Sequence, residues 1–165
     1  MKNEDSFSYQ AEIEWTEGLR GNLRFPKLPT LEVAAPHEFQ GPGGGWSPEY
    51  LFVGAVASCF MLTFLALAER SKLELASVAV SAEGKLQKVS QTGYQITEVS
   101  LKPTVVVRRI DDTQRVERLL KKVEQSCFIA ASIKSRLVVV PQIYHKQIPA
   151  YPCPAVSETC VSVFH

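Results

Sequence analysis

Between Leu51 and Ala68 run eighteen residues without a charge. That length reaches the lower limit for a membrane span, so the chain either crosses a bilayer or builds its fold around one apolar helix. Gly54, Ser58, Cys59 and Thr63 interrupt the stretch, no basic cluster flanks it, and the segments around it read as strands that need an apolar helix to cover them. The reading is therefore a buried core helix and no membrane. Its start is well marked: Ser47 is a good N-cap, Pro48 suits the first helical position, and Glu49 favours the positive end of the helix dipole.

Upstream, Phe7 to Trp15 alternates apolar and polar residues, the period of two of a half-buried strand. Leu19 to Phe25 reads as its hairpin partner, ended by Pro26 and Pro29, and LEVAA as a short third strand. Downstream, Leu75 to Gln87 and Tyr94 to Arg108 flank the turn signal SQTG and read as a long hairpin, with Pro103 implying an edge or a bulge in the second arm. Asp111 to Gln114 offers a capping pattern for a second helix whose inner face carries Val116, Leu119, Leu120 and Val123. Cys127 lies just beyond it. CFIAASIKSR starts a further helical turn or two, and RLVVVPQIY is a last strand. This order gives an α+β fold, not a doubly wound one.

A chain of 165 residues, 45% of them hydrophobic, is the size of one domain that buries a core unaided. The domain is placed at residues 1–144, with 145–165, rich in Pro and Ser, as a tail or arm. A net charge of +1 with interspersed signs provides no basic stripe for nucleic acid. The opening MKNEDSFSYQ lacks the apolar run of a secretory signal, which gives a cytoplasmic, reducing location as the expectation. Cysteines 59, 127, 153 and 160 are then free thiols, and with no C-x-x-C pair and no His at ligand spacing from a Cys pair, no metal is expected. GPGGGW lacks the Lys-Ser/Thr ending of a phosphate loop, and its glycines read as flexibility. His37, His145 and His165 are scattered and read as surface residues.

The run Ser-Pro-Glu-Tyr-Leu-Phe-Val-Gly-Ala-Val-Ala-Ser-Cys-Phe, in which Cys59 follows Glu49 by ten residues, resembles the osmotically inducible protein C (OsmC) and organic hydroperoxide resistance (Ohr) family. The likeness continues in Cys127 after an amphipathic helix and in an N-terminal hairpin with an Arg, matched best by Arg20 in GLRG, with Arg24 as competitor. It covers roughly residues 8 to 144. The chain departs from the family pattern around its second Cys, where Val-Glu-Gln-Ser-Cys-Phe-Ile lacks the usual His three positions earlier and the following Pro. The resemblance implies an OsmC-like fold, antiparallel sheets around a long central buried helix, in an intertwined homodimer with its site at the subunit interface.

It also implies a cysteine-based peroxidase without metal or organic cofactor. Cys59 attacks an organic hydroperoxide, Cys127 resolves the sulfenic acid as a disulfide, and an external dithiol restores both. Arg20 stabilises the thiolate, and Glu49 holds Arg20 by a bidentate pair. Ten residues of helix rise about 15 Å, so Glu49 and Cys59 cannot meet on one continuous helix. Either the helix begins late, or Glu49 and Arg20 come from different chains. Phe52, Phe60, Met61 and Phe64 around Cys59 suggest a greasy pocket. Two other readings stay open: a hydrophobic-ligand-binding or redox-sensing protein of the same fold, and a general disulfide exchanger. The thiols of the tail, Cys153 and Cys160, are read as incidental.

Overall fold

The computed structural model describes residues 6–89 and 93–146. Three short strands, β1 (Glu12–Trp15), β2 (Arg20–Arg24) and β3 (Leu31–Ala34), form an antiparallel sheet in that order. The first strand starts at Glu12, later than the alternation from Phe7 implies, because the register ends where Glu12 faces Arg24 and Pro26 closes the partner strand. Helix α1 (Pro48–Arg70) follows, its first turn capped by the Ser47 hydroxyl, which accepts from the Tyr50 N–H at 3.3 Å.

The second sheet is centred on β5 (Gly93–Val107), which pairs antiparallel with β4 (Leu75–Val89). The segment expected as one last strand is split at Pro141 into β6 (Arg136–Val139) and β7 (Gln142–His145), and both lie parallel to β5. Parallel pairing needs a crossover, supplied here by α2 (Thr113–Ser126) and the single turn α3 (Phe128–Ala131). Pro103 is thus neither at an edge nor in a bulge. It is buried in the central strand, in the gap between the residues that pair with β6, ending at Leu101, and those that pair with β7, starting at Thr104.

The core lies between this sheet and the helices. Val56, Phe60, Phe64 and Ala68, four residues apart on α1, meet Val99, Leu101, Val105 and Val107 of β5 and the expected stripe of α2, Val116, Leu119, Leu120 and Val123. Helix α2 begins at Thr113 after a 3-10 turn. The capping pattern expected from Asp111 does not form; Asp112 is the N-cap residue, and its carboxylate pairs with Arg115 at 2.5 Å.

Helix α1 is long and apolar enough to cross a membrane by length and composition, yet one stripe of it packs on the sheet. The expected central, buried helix is only half covered among the described residues. Gly54, Ala55, Ser58, Leu62, Leu65 and Ala66 lie on an exposed face, because the chain packs its sheet and α2 against a single side.

A candidate redox site of two thiols

Cys59 lies on α1, next to the buried stripe and half-buried itself, while Cys127 closes α2 and is 1% exposed. At Cys127 the backbone turns extended (φ −74°, ψ 110°) before α3 begins, which brings the main chain of Phe128 and Ile129 against the sulfur of Cys59. Burial pushes the Cys59 thiol up, but hydrogen bonds from the Ile129 N–H, the Cys127 thiol, the Thr63 hydroxyl and the Phe128 N–H outweigh it, leaving Cys59 below its ordinary value. Burial pushes Cys127 up, and the neighbouring Cys59 sulfur pushes it further; main-chain groups of Ala130 and Ile129 offset this only in part. The two sulfurs, 68 positions apart in sequence, are neighbours whose acidities are shifted in opposite directions.

Arg20 and Glu49 lie elsewhere. Both line a cavity of about 660 Å³ whose walls include Ile13, Trp15, Leu19, Val33 and Phe39. In the first sheet Arg20 faces Ala34, which sets Glu32 on the diagonal of the same face. Arg20 Nη1 donates to Glu32 Oε1 at 2.6 Å and Nη2 to the carbonyl of Gly43 at 3.0 Å. Arg24 is held on the same sheet by Glu14 at 2.6 Å and does not line this cavity, so of the two candidates it is Arg20 that shares a site with Glu49. Glu49 Oε2 is buried without a hydrogen-bond partner among the described residues.

Helix α1 begins at Pro48, which removes the alternative of a late start. Glu49 sits in its first turn and Cys59 about 15 Å further along, so one chain holds a thiol pair and, apart from it, an arginine–carboxylate cavity.

The glycine loop is built for close packing, not for flexibility. A Cβ on Gly41 would lie 2.0 Å from the carbonyl oxygen of Ala35, and one on Gly43, at φ +60°, 2.4 Å from His37 Nε2. The His37 ring nitrogen Nδ1 makes a 3.1 Å hydrogen bond with the Gly41 carbonyl. The glycines thereby let the loop press on the end of β3 and present the Gly43 carbonyl to Arg20. Glu32, Gly43 and Thr63 carry no site signal in the sequence reading above. A signal for Thr63 is nevertheless readable, since it lies four residues after Cys59 on the same helix. The tail thiols Cys153 and Cys160, and His165, lie outside the described residues.

The family model for OsmC-like proteins matches residues 41–141, which include both thiols and Glu49. The uncharacterized protein YmaD of Bacillus subtilis is 32% identical over 108 residues, 64% of this chain and 71% of YmaD. Among solved structures, an OsmC-like protein of unknown function from Vibrio cholerae, VCA0330, is similar with a TM-score of 0.75 at 25% identity, over 82% of this chain and 99% of that one. An organic hydroperoxide resistance protein from Elizabethkingia anophelis, crystallised with thiocyanate, shares the fold with a TM-score of 0.69 at 19% identity, over 87% of this chain and 99% of that one. With its element order, its helix-borne thiol and more than half of its length matched, the chain belongs to the OsmC/Ohr family of OsmC-like proteins.

Proposed function

We propose that the protein is a thiol peroxidase that reduces organic hydroperoxides. The observation that carries this reading is the contact between two sulfurs of opposite acid strength: Cys59 is shifted toward the thiolate that attacks, and Cys127 toward the protonated thiol that waits. The Cys59 thiolate attacks an oxygen of ROOH, the O–O bond breaks, and the alkoxide leaves as ROH after taking up a proton. The resulting sulfenic acid condenses with Cys127, forming the S–S bond and releasing water from the sulfenic hydroxyl and the Cys127 proton. An external dithiol then returns two electrons and two protons by exchange. No step calls on a cofactor.

A homodimer completes the site in this reading. The uncovered face of α1, with its small residues Gly54, Ala55 and Ser58, and the exposed Ile13, Trp15 and Leu19 are apolar surface that a second copy would bury. That second copy would bring an Arg20 and Glu49 cavity to each thiol pair. There the guanidinium would stabilise the thiolate and grip a peroxide oxygen, and the apolar walls would receive the organic part of the substrate. Such chemistry suits a reducing cytoplasm, away from nucleic acid and membrane.

Steady-state consumption of cumene hydroperoxide with dithiothreitol tests the proposal. Wild-type protein turns over repeatedly and, with the dithiol withheld, yields a Cys59–Cys127 disulfide on non-reducing peptide mapping. Cys59→Ser loses turnover by two orders of magnitude or more, on the order expected for removing a nucleophile. Equal rates for Cys59→Ser and wild type would end the proposal. One observation favours a sensor or ligand-binding protein instead: among the described residues of one chain, Arg20 is engaged by Glu32 and Gly43 and not by a thiol. A sensor would consume about one peroxide per site and stop with the dithiol present.

A further inference from the structure

We propose that Tyr94 is a positioning residue of the cavity that holds Arg20: its ring keeps Phe39 in place as a wall of that cavity and, through Phe39, steadies the glycine loop whose carbonyl grips the guanidinium. The inference rests on the reading that this cavity receives the peroxide. The rings of Phe39 and Tyr94 meet edge to face, with centroids 5.3 Å apart and planes at 80°, a geometry that aromatic quadrupoles favour. Phe39 follows β3 and Tyr94 opens β5, so the contact ties together two sheets that share no strand pairing among the described residues.

A β-bulge aims Tyr94. On β4 the helix side of the sheet is marked by Gly84, where a Cβ would lie 2.5 Å from Cγ2 of Val53 on α1, and by alternation Leu86 and Lys88 share that side. Val99 pairs with Gly84, and a regular ladder would continue with Thr97 opposite Leu86 and Gln95 opposite Lys88. The register instead passes from Glu98 opposite Lys85 to Ile96 opposite Leu86, which leaves Thr97 as the extra residue and turns Ile96 and Tyr94 to the helix side. The Thr97 hydroxyl donates to Gln87 Oε1 at 2.6 Å across the bulge.

From Phe39 the path to Arg20 is short and hydrogen-bonded. Phe39 ends the 3-10 turn His37–Phe39. The Gly41 N–H donates to the Pro36 carbonyl at 3.0 Å, the Gly43 N–H to the Ala35 carbonyl at 3.2 Å, and the Gly43 carbonyl accepts from Arg20 Nη2 at 3.0 Å. Phe39 itself lines the cavity with Arg20 and Glu49, while Tyr94 lines a neighbouring cavity of about 610 Å³ that shares Pro48 and Glu49 with the first. The ring pair is thus part of the partition between them. Tyr94 is 61% exposed, so the pair orders the cavity wall more than it strengthens the core.

Hydrogen–deuterium exchange, read by mass spectrometry on peptides covering residues 36–45, tests the clamp without reference to activity; steady-state kinetics with cumene hydroperoxide and dithiothreitol test its consequence. Tyr94→Ala should speed exchange of that segment roughly 2- to 10-fold and lower kcat/KM by a similar factor, mainly through a higher KM. The urea midpoint should stay where it is, because the ring is largely exposed. Tyr94→Phe keeps the ring and restores both readouts. If circular dichroism shows Tyr94→Ala to be misfolded, Tyr94→Leu against Tyr94→Phe makes the same comparison. Wild-type exchange in the ring-free variant overturns the inference, as does faster exchange with kcat/KM unchanged, or a Tyr94→Phe protein that behaves like Tyr94→Ala. A wild type that turns over no peroxide overturns the reading of the cavity and the role of Tyr94 with it; an active wild type unaffected by loss of the ring overturns the role of Tyr94 alone.

Discussion

Strand β5 beneath the thiols and the N-terminal sheet use the same apolar alternation and meet different fates. Around the thiols, Phe60 and Phe64 of α1, Val116, Leu120 and Val123 of α2 and the inner face of β5 are all buried, and Cys127 is seated in the same core. In the N-terminal sheet the register places Arg20, Asn22, Arg24, Glu12, Glu14 and Glu32 on one face and Ile13, Trp15, Leu23, Leu31 and Val33 on the other. Yet Trp15 remains 73% exposed and Ile13 66%, because no helix among the described residues lies over them. Alternation tells which face of a sheet is apolar and is silent on what covers it. The thiol pair therefore sits where α1 is packed against the sheet and α2, and the cavity lined by Arg20 and Glu49 sits beside the face that is left open among the described residues.

Truncation on either side puts this contrast to the test, with the largest effect in the core. Phe60→Ala removes a fully buried ring and should destabilise the fold by about 3–5 kcal/mol. Ile13→Ala, on the exposed strand, should cost within about 0.5 kcal/mol in a monomer. Urea unfolding of both variants checks the difference. A larger loss for Ile13→Ala that grows with protein concentration would locate the missing cover in a second copy, as the dimer proposal requires. A smaller effect, of about 1–2 kcal/mol, is expected for Gly43→Ala, where a positive φ and the nearby His37 ring both oppose a side chain. In the proposed enzyme its peroxide turnover should fall further than its stability, since Gly43 presents the carbonyl that holds Arg20. An unchanged rate at fully folded concentrations would separate that loop from the chemistry.

What was legible in the sequence follows the same division. Helix α1 with its Ser47 cap, the inner stripe of α2 and the β4–β5 hairpin are encoded by local period and capping, and they stand where those signals place them. Cys59 and Cys127 were legible as a pair through the family likeness, and the fold brings their sulfurs into contact. Strand partners are not a local property. The direction of β6 and β7 depends on the crossover through α2, and Pro103 fits a central strand because the neighbouring strand breaks opposite it. Glycine is ambiguous for another reason: it serves where the chain is loose and also where it is too tight for a Cβ, and Gly41 and Gly43 belong to the second kind. Glu32 escaped notice since its claim on Arg20, twelve positions away, exists only once β2 and β3 are in register.

The finest distinction is between the two sulfurs themselves. Cys59 lies below the ordinary thiol value, so its thiolate fraction, and with it its reactivity, is retained as the pH is lowered and is lost when the pH falls through its own folded-state value. Cys127 lies above the ordinary value, so at the same pH it stays protonated and gains reactivity only as the pH rises through that higher value. Between these two values the alkylation rates should differ most, and Cys127 is held back further by its burial. Limited iodoacetamide at neutral pH should thus mark Cys59 several-fold ahead of Cys127. Raising the pH should narrow the gap, and Cys59→Ser should ease the titration of Cys127 by removing the sulfur that pushes it up. Preferential labelling of Cys127 in the wild type would reverse the proposed roles of attacker and resolver while leaving the pair as the proposed site.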